Sequence, residues 1–121
     1  MPRLYMGVLF FIGLSGGVMA SSLSLPSATS LAGNWLIEHD KKNCVVTLSH
    51  TSLPQANGYQ FAKVGDNCAD IVVPETVAWR PEPDGIAFLN ADGATLMFFS
   101  GYEPHFRLDD NAKGIFILSK K

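Results

Sequence analysis

The sequence predicts an all-β domain, either an antiparallel barrel or a sandwich, and three observations support this. About eight short β-like runs follow one another at a spacing of about ten residues. Hairpin-type turn signals separate them, such as Pro83-Asp84-Gly85 and Asn90-Ala91-Asp92-Gly93. Within the runs, apolar residues recur at every second position, the period of a strand. Closure into a barrel would also protect the sheet edges.

The first 20 residues have the layout of a secretory signal peptide. Arg3 precedes an uncharged apolar run over residues 4–17, and Val18-Met19-Ala20 places small residues at the first and third positions. This pattern predicts a signal peptide over residues 1–20 with cleavage after Ala20. The alternative is a transmembrane anchor, but the run is short for a bilayer and contains several glycines. We therefore expect a mature chain that starts at Ser21 and has no membrane attachment.

The composition of the mature chain excludes some partners. Loss of Arg3 leaves eight Lys and Arg against eleven Asp and Glu, a net charge of −3. A protein without a basic surface is not expected to bind nucleic acid or anionic lipid. About a hundred residues form a single domain with one modest core.

The mature chain divides into two parts. Residues 21–33 comprise an extended N-terminal trunk, then a stretch from Pro26 to Gly33 that reads as a short helical turn with a glycine stop. Residues 34–121 form the β-domain, with predicted strands at 34–39, 44–49, 59–64, 76–80, 85–90, 95–100, 105–108 and 114–118. A helical turn is also possible at residues 69–72.

Alternation assigns side chains to the core face of each strand. Four pairs are expected to face the core, namely Trp35 with Ile37, Ile86 with Phe88, Leu96 with Phe98, and Ile115 with Ile117. The opposite faces also carry apolar residues, namely Met97, Phe99, Phe116 and Leu118.

Cys44 and Cys68 are the only cysteines in the chain. An even number of cysteines in an exported chain predicts a disulfide. The alternative is a two-cysteine metal site, but the close C-x-x-C spacing of zinc sites is absent.

The sequence offers no recognisable catalytic set. His39, His50 and His105 lack metal-ligand spacing, although a three-histidine site assembled across strands is conceivable. Acidic pairs occur in turns, where Asp is expected for backbone reasons, as at Asp109-Asp110. In Trp79-Arg80-Pro81 the arginine could stack on the indole. We predict that the protein is not an enzyme and needs no cofactor.

Gly33-Asn34-Trp35 resembles the G-x-W motif on the first strand of lipocalins. We interpret Trp35 as a core residue, because a barrel of about a hundred residues rich in Phe, Trp and Leu is filled by its own side chains. A lipocalin-like carrier of small ligands remains the alternative.

Six stretches in order, behind a signal peptide, resemble the periplasmic inhibitors of serralysin-type zinc metalloproteases, also called alkaline protease inhibitors, of Gram-negative bacteria. The resemblance covers essentially the whole mature chain. The stretches are Ser21-Ser22-Leu23-Ser24-Leu25-Pro26-Ser27-Ala28, Leu31-Ala32-Gly33-Asn34-Trp35, Gly65-Asp66-Asn67-Cys68, Trp79-Arg80-Pro81-Glu82-Pro83-Asp84-Gly85, Ala91-Asp92-Gly93 and Phe98-Phe99-Ser100.

This resemblance implies a small eight-stranded, lipocalin-like antiparallel barrel with one disulfide and an N-terminal trunk that enters the protease cleft. It also implies that the α-amine of Ser21 binds the catalytic zinc of the protease, the only metal contact expected. Four further trunk residues would lie along the primed substrate subsites, namely Ser22, Leu23, Ser24 and Leu25.

The expected protein is thus a periplasmic inhibitor that is a monomer when free and binds a secreted serralysin-type metalloprotease one to one. Composition alone would instead favour a disordered N-terminus for residues 21–25. A periplasmic inhibitor of another enzyme, such as lysozyme, is a further alternative.

Overall fold

The computed structural model describes residues 25–65 and 67–121. The predicted signal peptide and the first four trunk residues, Ser21 to Ser24, lie outside these residues. The described elements are α1 (Ala28–Leu31), a 3₁₀ turn at Pro54–Ala56, β1 (Gly33–His39), β2 (Lys42–Leu53), β3 (Gly58–Val64), β4 (Ala78–Glu82), β5 (Gly85–Leu89), β6 (Thr95–Tyr102), β7 (His105–Asp110) and β8 (Gly114–Lys120).

The eight strands form a closed antiparallel barrel in which each strand pairs with its neighbours in sequence. Pairing of β1 with β8, for example Ile37 with Leu118, closes the sheet. This confirms the predicted fold class and decides for the barrel over the sandwich.

The observed strand bounds agree with the predicted bounds within a few residues. The largest differences are in β2, which runs on to Leu53, and β4, which begins at Ala78 and includes Pro81.

Four large aromatic side chains fill the barrel interior: Trp35, Trp79, Phe88 and Phe99 are fully buried. The ring centroids of Phe88 and Phe99 are 4.9 Å apart. Trp35 is therefore a core residue, as expected. The space in which a lipocalin would carry a ligand is occupied here by these side chains.

The predicted core faces of β6 and β8 were wrong. The structure buries Met97 and Phe99 of β6, and Phe116 and Leu118 of β8. Ile115, which was assigned to the core, is 46% exposed. Both faces of these strands are apolar, so alternation could not choose between them. Pairing decides, because it places Leu118 opposite the fully buried Ile37 and Met97 opposite the fully buried Phe88.

Strand β5 is buried on both faces. Ile86 and Phe88 enter the barrel core, while Ala87 and Leu89 join a small outer cluster with Ala56 and Ala78. The 3₁₀ turn that follows β2 covers this outer face. The 3₁₀ turn also packs against the β5–β6 turn, so closely that a Cβ atom on Gly93 would approach the Ala56 carbonyl oxygen to 2.7 Å. Gly93 also has a φ of +86°, so a side chain there would be disfavoured both by this contact and by its backbone conformation.

Cys44 and Cys68 form the predicted disulfide, with their Cα atoms 5.0 Å apart. The bridge attaches the long connection between β3 and β4 to β2. Beyond Cys68 the chain makes a hydrogen-bonded turn, in which the amide groups of Ile71 and Val72 donate to the Cys68 carbonyl oxygen. Ile71 and Val72 are buried in the core. The turn is thus the local feature anticipated at residues 69–72, although it is not assigned as a helix.

The barrel has two ends, which we name by their contents. The trunk end holds α1, the start of β1, the β4–β5 turn, the β6–β7 turn and the end of β8. The disulfide end holds the connection from β3 to β4 and the turns after β1, β5 and β7. Within residues 25–65 and 67–121, no helix has the length and apolar character needed to cross a membrane.

Candidate functional site

The described part of the trunk is its root, Leu25 to Ser27. The apolar side chain of Leu25 is 56% exposed. It is the only one of the five predicted trunk residues within the described part of the chain. The positions predicted for Ser21, Ser22, Leu23 and Ser24 therefore stay predictions.

Helix α1 holds the trunk root by a reciprocal serine cap. The Ser27 hydroxyl accepts a hydrogen bond from the Ser30 amide over 3.0 Å, and the Ser30 hydroxyl donates to the Ser27 carbonyl oxygen over 2.9 Å. A side-chain acceptor at this position satisfies an amide that has no partner inside the helix. Ala28 and Leu31 are buried. The short helix is thus held both by its cap and by its contact with the barrel.

Trp35 fastens the end of α1 to the first strand. Its indole Nε1–H donates to the Leu31 carbonyl oxygen over 2.8 Å, and both residues are buried. Its ring meets Phe106 of β7 edge to face, with centroids 5.7 Å apart. The bond satisfies a carbonyl at the helix end and an indole N–H at once, so neither polar group is buried without a partner.

Lys120 fastens α1 to the last strand. Its ammonium group donates to the Ser30 carbonyl oxygen over 2.9 Å and lies 3.9 Å from the Glu103 carboxylate. It also lies 5.8 Å from the centre of the Trp35 ring. A cation at a helix C-terminus is favoured by the partial negative charge of the last carbonyl groups. The trunk root is therefore tied to both β1 and β8.

A cleft of about 540 Å³ is lined in part by Leu25 of the trunk root. Arg80 crosses it, donating from Nε to Glu82 over 2.9 Å and from a terminal nitrogen to the Asn57 carbonyl oxygen over 3.1 Å. The sequence suggested that Arg80 could stack on the Trp79 indole. Instead, the Trp79 side chain is fully buried in the core, and Arg80 bonds to Glu82 and Asn57. The lining residues are Leu25, Ser52, Pro54, Asn57, Gly58, Tyr59, Arg80, Pro81 and Glu82.

A smaller groove of about 160 Å³ is lined by residues of the trunk root and of the β6–β7 turn. Its lining includes Pro26 of the trunk root and Tyr102 of β6. Tyr102 is 73% exposed, the highest value among the exposed large hydrophobic residues of the described chain. Turn residues Pro83 and Glu103 complete the rim. The trunk root thus contributes to two concave surfaces, the cleft through Leu25 and the groove through Pro26.

The three histidines lie in separate structural settings, and His50 is an exposed residue of β2. The His39 ring stacks on Phe116 with centroids 3.8 Å apart, and its Nδ1 is 3.0 Å from the Ile115 carbonyl oxygen. His105 Nδ1 is 3.0 Å from the Ser119 hydroxyl. Among the described residues, no cluster of three or more His, Cys, Asp or Glu side chains could hold a metal ion.

The acidic turn residues have local structural partners. The Asp110 carboxylate accepts from the amides of Ala112 and Lys113 over 2.8 and 2.9 Å. These bonds, that of Lys113 foremost, hold the pKa of Asp110 below its usual value. Asp109 pairs with Arg107 over 2.6 Å. The interpretation of these acids as turn residues is therefore supported.

Sequence reasoning missed Lys120 and Tyr102 as parts of this surface. Lys120 reaches a carbonyl 90 positions earlier in the chain, and no local pattern marks such a contact. The one signal in the sequence was an aromatic residue, Tyr102, directly before the turn residues Glu103-Pro104. Its position next to the trunk root follows only from the barrel.

Comparison with known proteins adds family information to this geometry. The protease inhibitor family Inh matches residues 25–120. A proteinase inhibitor of Dickeya chrysanthemi is 43% identical over 89 residues, covering 72% of each chain. An alkaline proteinase inhibitor of Serratia marcescens is 40% identical over 87 residues, covering 72% of this chain and 69% of its own. A proteinase inhibitor of Pseudomonas aeruginosa strain PAO1 is 37% identical over 116 residues, covering 92% and 85%.

A solved structure supports the fold. The crystal structure of a psychrophilic marine protease MP inhibitor superposes with a TM-score of 0.60 over 79% of this chain and the whole of that chain. The two sequences are 17% identical, so the likeness concerns the barrel fold alone.

Proposed function

Because this chain belongs to the Inh family of protease inhibitors, we propose that it inhibits a secreted serralysin-type zinc metalloprotease by inserting its mature N-terminus into the active-site cleft. In this mechanism the α-amine of Ser21 binds the catalytic zinc of the protease in a one-to-one complex. The relatives in this family are inhibitors, not enzymes. What we propose for this chain is the target protease and the mechanism.

The observation that carries the proposal is the anchored trunk root. Two side-chain hydrogen bonds, Trp35–Leu31 and Lys120–Ser30, hold the end of α1 on the barrel, and the serine cap joins Ser27 to Ser30 within this segment. Leu25 is exposed at the start of this rigid base. From there, the four residues back to Ser21 can span at most about 14 Å. A rigid base and a short reach favour insertion to a defined depth, since less freedom is lost on binding.

The α-amine is a suitable ligand for a protease zinc ion. Catalytic zinc in proteases has three protein ligands and leaves the fourth position to water or substrate. A neutral amine can donate its lone pair to that position. The reference pKa of an α-amine is about 7.7 to 8.0, so about a tenth to a sixth is neutral at pH 7. Deprotonation therefore costs only about 1 kcal/mol, which a zinc–nitrogen bond can offset.

The alternating sequence Ser22-Leu23-Ser24-Leu25 suits an extended peptide in a cleft. Its backbone can pair with a strand of the protease while alternate side chains enter pockets, the β-augmentation mode of peptide recognition. Pro26 follows directly and restricts φ at the base of the trunk. The barrel behind it would then limit the depth of insertion and cover the cleft.

The proposed ligand exists only after export. In the precursor, the nitrogen of Ser21 forms a peptide bond with Ala20, so cleavage after Ala20 creates the α-amine. We therefore expect the active inhibitor in the periplasm, where it would protect the cell that makes it.

Three forms of the mature protein test the mechanism against a purified serralysin-type protease. N-terminal acetylation converts the amine to an amide, whose delocalised lone pair is a poor zinc ligand. One added Gly before Ser21 displaces the amine by up to about 3.5 Å, and deletion of Ser21-Ser22 shortens the trunk. One Gly added after Lys121 is the matched control. We expect each N-terminal change to raise Ki by about a hundredfold or more, about 3 kcal/mol, and the control to leave it unchanged.

Unchanged inhibition by all three N-terminal forms would contradict the zinc–amine mechanism while leaving inhibition itself intact. Parallel titrations against lysozyme and against a fluorescent fatty acid address the other candidates. Inhibition of lysozyme with no effect on the metalloprotease would contradict the proposed target. Fatty-acid displacement at micromolar protein would favour the carrier.

A further inference from the structure

We propose that Tyr102 makes a second contact with the target protease, on the surface beside its active-site cleft, and contributes to selectivity among metalloproteases. The contact rests on the proposed function, because the trunk brings the two proteins together. The partner surface would offer an apolar pocket with a polar mouth, which fits an aromatic ring that ends in a hydroxyl.

Tyr102 is the most exposed of the large apolar side chains in the described chain. The side chain is 73% exposed, although burying an aromatic ring is favourable. The other exposed apolar side chains include Val64 and Ile115, which lie toward the disulfide end. At the trunk end, Tyr102 and Leu25 are the two large exposed apolar residues of the described chain. They lie on the same side as the proposed point of attachment.

The backbone around Tyr102 is well held. Tyr102 pairs with His105, and Gly101 with Phe106, at the end of the β6–β7 ladder. The Gly101 amide also donates to the Asp84 carbonyl oxygen in the β4–β5 turn over 2.9 Å. Glu103, the next residue, lies within 3.9 Å of Lys120, which anchors α1. Because these hydrogen bonds hold the backbone of Tyr102, little backbone freedom is left to lose when the ring binds.

The position of Tyr102 follows from the shared groove. Pro26 of the trunk root and Tyr102 contribute to the same groove of about 160 Å³. A protease cleft that receives the trunk therefore brings its own rim against this groove and the tyrosine. Tyrosine is among the residues that most often dominate interface energies. The trunk would bind the cleft around the zinc, whereas Tyr102 would contact the surface next to it. Proteases of one type can differ in the residues of that surface, so the second contact would contribute to selectivity.

The test compares two substitutions at Tyr102 with two controls at the other end of the barrel. Tyr102→Ala removes the ring, and Tyr102→Phe removes only the hydroxyl. Ile115→Ala and Val64→Ala remove exposed apolar side chains of the disulfide end. Each mature protein is titrated against the protease, and its dissociation rate is measured on immobilised protease with zinc present and with zinc removed by a chelator.

We expect Tyr102→Ala to raise Ki about tenfold to thirtyfold, mainly through faster dissociation, with less than twofold change in the controls. The same ratio of dissociation rates should persist on zinc-free protease, because this contact is independent of the amine. Tyr102→Phe should lie between wild type and Tyr102→Ala. Across several metalloproteases, the effect of Tyr102→Ala should vary more than the effect of N-terminal acetylation.

The outcomes separate the two proposals. If acetylation abolishes inhibition but Tyr102→Ala matches the two controls, the second contact is wrong and the zinc–amine mechanism stands. If Tyr102→Ala weakens binding while acetylation has no effect, the second contact stands and the mechanism at the zinc is wrong. If the wild-type protein inhibits no metalloprotease, both proposals fail.

Discussion

The indole Nε1–H of Trp35 donates a hydrogen bond to the carbonyl oxygen of Leu31 over 2.8 Å, inside the barrel and out of contact with water. This bond links the core to the helix that carries the trunk root. A residue that stabilises the fold thus also positions the proposed inhibitory segment, so changes at Trp35 should affect stability and inhibition together.

Trp35→Phe should lower the free energy of unfolding by about 1 to 3 kcal/mol, because the Leu31 carbonyl oxygen loses its partner while it stays buried. Inhibition should weaken as well, since α1 is held less firmly. Urea unfolding and a Ki titration measure the two effects. Phe116→Leu is the control, a core change at the other end of the barrel, where Phe116 stacks on His39. Equal Ki values for the two variants would show that the Trp35 bond does not position the trunk.

Lys120→Met keeps the aliphatic stem and removes the ammonium group that bonds to Ser30. We expect Ki to rise about twofold to twelvefold, which corresponds to about 0.5 to 1.5 kcal/mol for one hydrogen bond. ¹⁵N relaxation should show greater mobility in residues 25–31. Lys120→Arg should restore most of the affinity. Lys121→Met is the control, because Lys121 bonds to Asn34 through its backbone amide; an equal effect there would contradict a specific role for Lys120.

Replacement of Cys44 and Cys68 by serine should lower the free energy of unfolding by about 3 to 4 kcal/mol, because the bridge closes a loop with a sequence separation of 24. Denaturation with and without reductant measures this. The bridge lies at the disulfide end, so Ki for the folded variant should change by less than about twofold. A loss of inhibition without a loss of stability would show that the two ends of the barrel are coupled.

Asp110→Asn should destabilise the protein at neutral pH. In the folded protein, the Lys113 and Ala112 amides lower the pKa of Asp110 below 3.8, so the ionised form is favoured by folding. This contribution is therefore present above the unfolded pKa and is lost as pH falls through the folded pKa. The difference in Tm between wild type and variant should be largest above pH 6 and disappear in strong acid. Asp92→Asn, in another turn, is the control, and a difference that grows in acid would contradict this account.

Inhibition should weaken as pH falls below the pKa of the Ser21 amine. Zinc binds the neutral amine, so protonation competes with binding, and Ki should approach a tenfold rise per pH unit below about 7.7. Titrations from pH 6 to pH 9, with residual binding of the acetylated protein as control, measure this slope. The same slope for both proteins would assign the titration to the protease instead.

The predicted strands and turns were close to those of the structure because they depend on local chemistry. Turn residues at 83–85 and 90–93 and the period of two placed most elements within a few residues. The faces of β6 and β8 could not be predicted in the same way. In residues 95–99 and 115–118 both faces are apolar, so the choice depends on which neighbour each strand meets across the sheet.

The sequence by itself determined the all-β class, the disulfide between the only two cysteines, the absence of a recognisable catalytic motif and the family resemblance of six stretches along the mature chain. Each of these depends on residue identity or on spacing within a short stretch. Only the tertiary structure decided for the closed barrel, joined Lys120 to Ser30, and placed Tyr102 beside Pro26. The reason is physical: these relationships join residues far apart in the chain, and barrel closure brings them together.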